Sequence, residues 1–218
     1  MDNLIFLDKE LTLYLNGLNS PALDAFFYAV TSKWLWVPLY ATILWMIFRR
    51  QGGRGLMTVI VIGLLVLLAD QLTSGLMKPL FERLRPTHDG VMQYLVHTVN
   101  GYRGGLYGFP SCHAANSVAL TVWFFLLCGA RSRLSMMLLV WCLLTCYTRM
   151  YLGVHYPGDL LFGSVVGSLC ALLCWFLAVR IFKIGKFRGD TATQIPLAAF
   201  LLTVTALLIY SIVAHLVR

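Results

Sequence analysis

Apolar residues along this chain come in long runs, separated by short polar turns and one long polar stretch. The runs cover 22–48, 56–77, 112–128, 134–149, 158–181 and 195–217. A helix crossing hydrocarbon needs about 20 mostly apolar residues. The pattern therefore predicts an all-α fold, a six-helix transmembrane bundle forming a single membrane-embedded domain over 1–218. Ahead of the runs, Leu4, Leu7, Leu11, Leu15 and Leu18 recur at helical spacing, with Asp8, Lys9 and Glu10 elsewhere on the wheel. That stretch is too polar and too short to span. It predicts an N-terminal amphipathic helix lying in the interface over 1–20.

The polar interruptions refine this picture. Pro21 suits the first turn of a helix, and Lys33 predicts a break, so the first span should start near Trp34. Asp70 and Gln71 sit inside the second run, where each costs several kcal/mol unless it faces protein or water; a helix–helix hydrogen bond is the expected role of Asp70. Residues 79–111 form the one long stretch that does not span. Rich in Gly, Pro, Tyr and charge, it reads as a binding loop or lid.

Composition supports the membrane reading. The chain has 218 residues, is 59% hydrophobic and 12% charged, and has a mean hydropathy of +0.77. Soluble domains carry about 25% charged residues. The net charge of +8 does not point to nucleic acid, because the basic residues gather in the turns 49–54, 131–133 and 180–188. Those turns alternate with the other loops and mark one side as cytoplasmic. The opposite, extracytoplasmic side then receives 78–111, 150–158 and both termini. Acids at Asp2, Asp8 and Glu10 and the lack of a small-residue cleavage site speak against a cleavable signal peptide. Five of the six Cys lie inside apolar runs, where small apolar packing is the expected role and neither a disulfide framework nor a metal site is.

The chemistry concentrates in three stretches, all on the extracytoplasmic side. Thr148–Asp159 holds Arg149 at the end of one run, His155 in a short turn, and Asp159 in the first turn of the next helix after Pro157. A His attacks phosphorus best when a carboxylate holds its far ring nitrogen, which fixes the tautomer and stabilises the imidazolium. Lys78–Pro86 supplies Lys78 and Arg85. Phe109–His113 places Ser111 to cap a helix whose first amides, at Cys112 and His113, make an anion site. Cations and a helix N-terminus suit phosphoryl transfer, which is mostly positioning and charge stabilisation. Neither a metal nor another cofactor is needed, since Lys and Arg take the place of a divalent cation.

These stretches resemble the type 2 phosphatidic acid phosphatase superfamily of integral-membrane lipid phosphatases. Its signature Lys-x6-Arg-Pro matches at Lys78, Arg85 and Pro86. Pro-Ser-Gly-His matches at Pro110, Ser111 and His113, with Cys112 in the Gly position. Ser-Arg-x5-His-x3-Asp matches at Arg149, His155 and Asp159, with Thr148 in the Ser position. The resemblance implies a nucleophile at His155, its partner at Asp159, a general acid at His113, and phosphate binding by Lys78, Arg85, Ser111, Cys112 and Arg149.

The expected function is hydrolysis of a phosphate monoester or pyrophosphate of an envelope lipid through a phosphohistidine, on the extracytoplasmic face of a bacterial inner membrane. The candidate substrates are lipid A phosphate, undecaprenyl pyrophosphate, phosphatidylglycerol phosphate and phosphatidic acid. No nucleic acid and no obligatory protein partner is expected. The competing class is a transporter or flippase, which would line a pathway with Asp70, Gln71 and Ser74 but should show inverted repeats, and none is evident. Arg83, His88, Asp89, His97, Tyr102 and Arg103 read as solvated loop or headgroup contacts, and Tyr107 and Gly108 as the pocket floor.

Overall fold

In the computed structural model, residues 2–187 and 193–216 are described; Arg188 of the basic loop and the end of the last apolar run lie outside them. The described residues are nearly all helical. They contain no β-strand, only an isolated antiparallel bridge between Leu84 and Tyr107. The helices are α1 (Asp2–Gly17), α2 (Pro21–Val30), α3 (Val37–Gln51), α4 (Gly55–Asp70), α5 (Lys78–Phe81), α6 (Cys112–Cys128), α7 (Arg133–Tyr151), α8 (Pro157–Ile181) and α9 (Gln194–Leu216).

The first apolar run, 22–48, is not one helix. It breaks between α2 and α3 through a 3₁₀ turn at Lys33–Trp36. Pro38, at the start of α3, has no N–H to give, and its ring excludes a helical carbonyl four residues earlier. Trp36 closes the break by donating its indole N–H to Val30 O at 3.0 Å. The second run continues past Asp70 as a π-helical stretch, Gln71–Met77, before α5. Such winding changes the phase in which the following residue leaves the helix, and that residue is Lys78. Among the described residues Asp70 makes no helix–helix hydrogen bond, contrary to expectation. It accepts from Ser74 Oγ one turn on, at 3.3 Å, and faces a cavity.

Four helical stretches are long and apolar enough to cross a membrane: Lys33–Phe81, Arg133–Tyr151, Pro157–Ile181 and Gln194–Leu216. Shorter apolar helices are Pro21–Val30 and Cys112–Cys128. Lys33–Phe81 reverses at Gly52–Arg54, since α3 and α4 pack on each other and Gly52 takes a φ of +57°. Length and composition thus support several spans without fixing six.

α6 is the centre of the bundle, packed on α4, α7 and α8. The α6–α8 crossing is close because α8 presents Gly163 and Gly167 one turn apart. A Cβ at Gly163 would run into Ser111 O, and one at Gly167 into Ala115 O. Small residues let helix backbones meet where no hydrophobic effect drives them together. The crossing brings the start of α6 beside the start of α8, where Ser111 N donates to Asp159 O at 2.9 Å. Trp123, Leu127 and Leu134 fill the core below, with Cys142, Cys170 and Cys174 in the packing role expected of them. Leu161, Leu169 and Phe176 of α8 and Leu202 and Ile209 of α9 are exposed. Apolar groups on the outside of a well-packed bundle suit a hydrocarbon solvent.

The basic turns at 49–54 and 131–133 lie at one end of these helices. The end of α5, the start of α6, the end of α7 and the start of α8 meet at the other.

Candidate active site

At that second end the loop 82–111 folds back on itself. Arg85 N donates to Leu106 O (3.1 Å) and Gly108 N to Arg83 O (2.8 Å), which pins residues 83–85 beside 106–108. Arg85 is thereby turned inward and is 7% exposed. Its Nε donates to Tyr107 O and its Nη1 to Val154 O, both at 3.2 Å. Two glycines make room for it. Gly104, at φ +69°, would put a Cβ 3.0 Å from Arg85 Nη1, and Gly108 would put one 2.8 Å from Asp159 Oδ2. Gly108 and Tyr107 thus lie against Arg85, and neither lines the cavity described below.

His155, in the turn between α7 and α8, is fully buried. Arg85 Nη1 donates to His155 Nε2 at 3.0 Å. A guanidinium has no lone pair to offer, so Nε2 is the unprotonated nitrogen and Nδ1 carries the hydrogen. Nδ1–H points at Asp159 Oδ2, 3.2 Å away. Burial first, and then the charges of Arg85, Arg149 and Lys78, hold the imidazole well below its usual pKa of 6.5. A neutral imidazole with its lone pair on Nε2 is the nucleophilic form.

Asp159 owes its place to helix capping. It stands in the first turn of α8, where Oδ2 also accepts from Tyr156 N at 3.1 Å. Its other oxygen, Oδ1, accepts from Arg83 Nη1 at 2.9 Å, and Arg83 Nη2 donates to Asp8 Oδ2 of α1 at 2.6 Å. Arg83 also stacks over the Tyr156 ring, 4.3 Å from its centroid.

On the other side of the site, Ser111 caps α6 by accepting from Ala114 N at 3.4 Å. Arg149 Nη1 donates to His113 Nε2 at 3.4 Å, and Lys78 Nζ lies 3.7 Å from Cys112 Sγ. Arg149 is 1% exposed, and its Nε has no hydrogen-bond partner. Among the described residues, none of Lys78, Arg85 and Arg149 is in an ion pair. Buried cations without counter-ions are costly. Two such cations, Arg85 and Arg149, with the half-buried Lys78 beside them, make a strong anion site at a helix N-terminus.

A cavity of about 560 Å³ reaches the site from within the bundle. It opens on Cys112, His113, Thr148 and Arg149, and its depths are lined by Ile43, Ile62, Leu120, Phe124 and Trp141.

A family model described as "PAP2 superfamily" matches residues 59–183. The chain belongs to the PAP2 superfamily. It is therefore an enzyme, an integral membrane phosphatase of phosphate-bearing lipids. Among curated proteins, it is 40% identical to a lipid A 4′-phosphatase of Bacteroides thetaiotaomicron, over 95% of this chain and 96% of that one. It is 36% identical to a lipid A 4′-phosphatase of Porphyromonas gingivalis, over 92% of this chain and 84% of that one. Among solved structures, it resembles a transmembrane PAP2-type phosphatidylglycerolphosphate phosphatase of Bacillus subtilis, with a TM-score of 0.57 and 25% identity, covering 86% of this chain and 90% of that one.

As a PAP2 member the chain carries its signature residues in one cluster. Lys78, Arg85, Ser111, Cys112, His113, Arg149, His155 and Asp159 converge from five separate segments. Of the neighbouring residues read as solvated loop or headgroup contacts, Arg83, Asp89 and His97 instead have charged side-chain partners. Arg83 is clamped between Asp159 and Asp8. Asp89 pairs with Lys9 at 3.0 Å, and His97 with Asp24 at 2.8 Å. Arg103, though exposed, donates to Thr87 O at 2.6 Å, and the Tyr102 ring packs edge-on to Tyr28. His88 is the residue that stays closest to the expectation, its ring meeting the hydroxyl of its neighbour Thr87. Asp8 and Arg83 are the site residues missed by sequence reasoning. The signal for Asp8 was present: Asp8, Thr12 and Asn16 recur every four residues, a polar stripe alongside the leucines.

Proposed function

We propose that the chain removes the 4′-phosphate of lipid A through a phosphohistidine on His155. The observation that carries the chemistry is the orientation of that ring: Nδ1–H held by Asp159, and Nε2 turned toward Arg85 in a nest of cations lacking counter-ions. An anionic phosphate between Arg85, Arg149, Lys78 and the α6 N-terminus would replace the Arg85–His155 contact and put phosphorus on Nε2. The N–P bond forms as the P–O bond to the lipid breaks; His113, whose Nε2 accepts from Arg149 in the resting site, takes up a proton once the phosphate draws Arg149 away, and gives that proton to the departing oxygen. Water then attacks phosphorus, His113 takes its proton, and the N–P bond breaks to release inorganic phosphate. Ser111 and the Cys112 amide hold the equatorial oxygens. Each step conserves charge and protons without a metal or other cofactor.

One feature favours lipid A among phosphate lipids, and a second favours a lipid chain of any kind. The two lipid A 4′-phosphatases align over nearly their whole lengths. The apolar cavity beneath His113 and Arg149 has room for part of an acyl chain whose phosphate lies in the cation cluster. The chain works as one membrane-embedded domain with six spans, since α3 and α4 form a hairpin and α6, enclosed by α4, α7 and α8, need not itself match the full hydrocarbon thickness. The basic turns at the far end favour a site on the extracytoplasmic face of an inner membrane, and the outer apolar face of α1 suits the interface.

The test is phosphate release by the purified chain from lipid A 1,4′-bisphosphate, undecaprenyl pyrophosphate, phosphatidylglycerol phosphate and phosphatidic acid, with His155→Ala as control. Fast cleavage of lipid A at the 4′ position by the native chain alone is the expected result. Equal or faster cleavage of another lipid would overturn the substrate, and near-native activity of His155→Ala would overturn the nucleophile.

A further inference from the structure

α1 is docked the wrong way round for a helix that merely coats a bundle. Its apolar residues point outward: Leu4, Phe6 and Leu7 are exposed. Its polar stripe faces the protein, with Thr12 fully buried and Asn16 2% exposed. Asn16 Nδ2 donates to Tyr151 O at 2.7 Å and to His97 O at 3.0 Å, and its Oδ1 accepts from His97 N at 2.7 Å. A helix fixed by hydrogen bonds holds its side chains in register far better than one held by grease alone.

The stripe ends at Asp8, which touches the site at two points. Oδ2 accepts from Arg83 Nη2 at 2.6 Å, and Oδ1 accepts from Gly158 N at 2.8 Å. Gly158 is the residue before Asp159, and a Cβ there would come within 2.9 Å of Asp8 Oδ2. Asp8, Arg83 and Asp159 thus form a row of alternating charge that ends on His155. Asp8 also lies outside the 59–183 segment that defines the family.

We infer that Asp8 is a positioning residue for the His155–Asp159 pair, acting through Arg83 and the first amides of α8. The row carries a net charge of about −1 by the ordinary charges of its members. It faces an imidazole that gains a positive charge when phosphorylated. With Asp8 removed, Arg83 would spend its whole charge on Asp159, and the row would be neutral just when His155 needs a counter-ion. Arg83 would also lose the partner that fixes its fork. The phosphate-binding cations, on the opposite side, would be untouched. This role rests on His155 being the nucleophile.

The experiment measures kcat and KM of the full chain on whichever lipid of the panel above it cleaves fastest. Asp8→Asn should lower kcat about tenfold, the range seen when a partner of a ligating or catalytic group is removed, with KM within about threefold. Asp8→Glu should recover most of the loss. Lys9→Gln breaks the Lys9–Asp89 pair on the same helix, which touches neither Arg83 nor Asp159, and should leave kcat within about twofold. Asp8→Asn added to Arg83→Gln should cost less than it does in the native chain, since only the contact with Gly158 N is then left to lose. Should Asp8→Asn fail to fold, Gly158→Ala displaces the Asp8 carboxylate without removing it and should also lower kcat at unchanged KM. An unchanged kcat in the folded variant, or an equal loss in Lys9→Gln, would overturn the role of Asp8 alone. A native chain inert on every lipid of the panel would overturn the proposed function, and this role with it.

Discussion

Asp159→Asn is the sharpest probe of the site, because the carboxylate is ringed by donors. Arg83 Nη1, Tyr156 N–H and His155 Nδ1 all point at its two oxygens, at 2.9, 3.1 and 3.2 Å. An amide has one oxygen and one NH₂. If the oxygen takes Arg83, the NH₂ faces both Tyr156 N–H and His155 Nδ1. The ring would then relieve the clash by accepting at Nδ1, which moves its hydrogen to Nε2 and removes the nucleophilic lone pair. If the oxygen takes His155, Arg83 meets a donor instead. The lost charge adds to the lost tautomer. At 3.2 Å and an effective dielectric of about 20, a carboxylate and an imidazolium attract by about 5 kcal/mol. Arg83 already draws on Asp159, so about 4 kcal/mol of support for the phosphohistidine is a reasonable share. That corresponds to a fall in kcat of about a thousandfold. KM should change little, since Lys78, Arg85 and Arg149 hold the phosphate. The assay is steady-state phosphate release, with acid-stable and acid-labile phosphoenzyme separated after a quench. A kcat within tenfold of native, in a variant that still folds, would refute the account of the pair.

Three further outcomes follow from the geometry. Because burial and the cations Arg85, Arg149 and Lys78 depress His155, the base is already unprotonated below its ordinary 6.5, so kcat/KM should hold its plateau as pH falls through that value; in Arg85→Gln the depression weakens, and the acid limb should move up toward 6.5, read from profiles between roughly pH 5 and 9. Gly163→Ala should lower the melting temperature by about 2–10 °C and cut activity, since overpacking costs about 1–3 kcal/mol and the new methyl would push on Ser111 O at the α6–α8 crossing; Gly63→Ala, which meets nothing within 4 Å, is the control and should be neutral. Cys112→Ser should keep kcat within about threefold, because the thiol offers Lys78 only a long contact of 3.7 Å; iodoacetamide should inactivate the native chain, phosphate should protect it, and Cys112→Ser should resist.

Much of this protein could be read without its structure. Hydrophobic runs fix where helices lie, because hydrocarbon forbids an unpaired backbone, and the boundaries at 112–128 and 158–181 fell within a residue of α6 and α8. The eight signature residues were legible because phosphoryl transfer needs particular groups at fixed spacing within a turn or a helix end: His155 and Asp159 are four residues apart in both sequence and mechanism. What the sequence left open was decided between segments. The break at Lys33–Trp36 is foreseeable from Lys33, but the π-helical winding before Lys78 is not, because it depends on how that stretch packs against its neighbours. The inward turn of Arg85 depends on the bridge from Leu84 to Tyr107 and on the space left by Gly104 and Gly108. The pairing of Asp8 with Arg83 joins residues 75 positions apart. Periodicity reports which face of α1 is apolar, but only packing decides that its polar stripe turns inward, because buried charges find partners that no local pattern encodes.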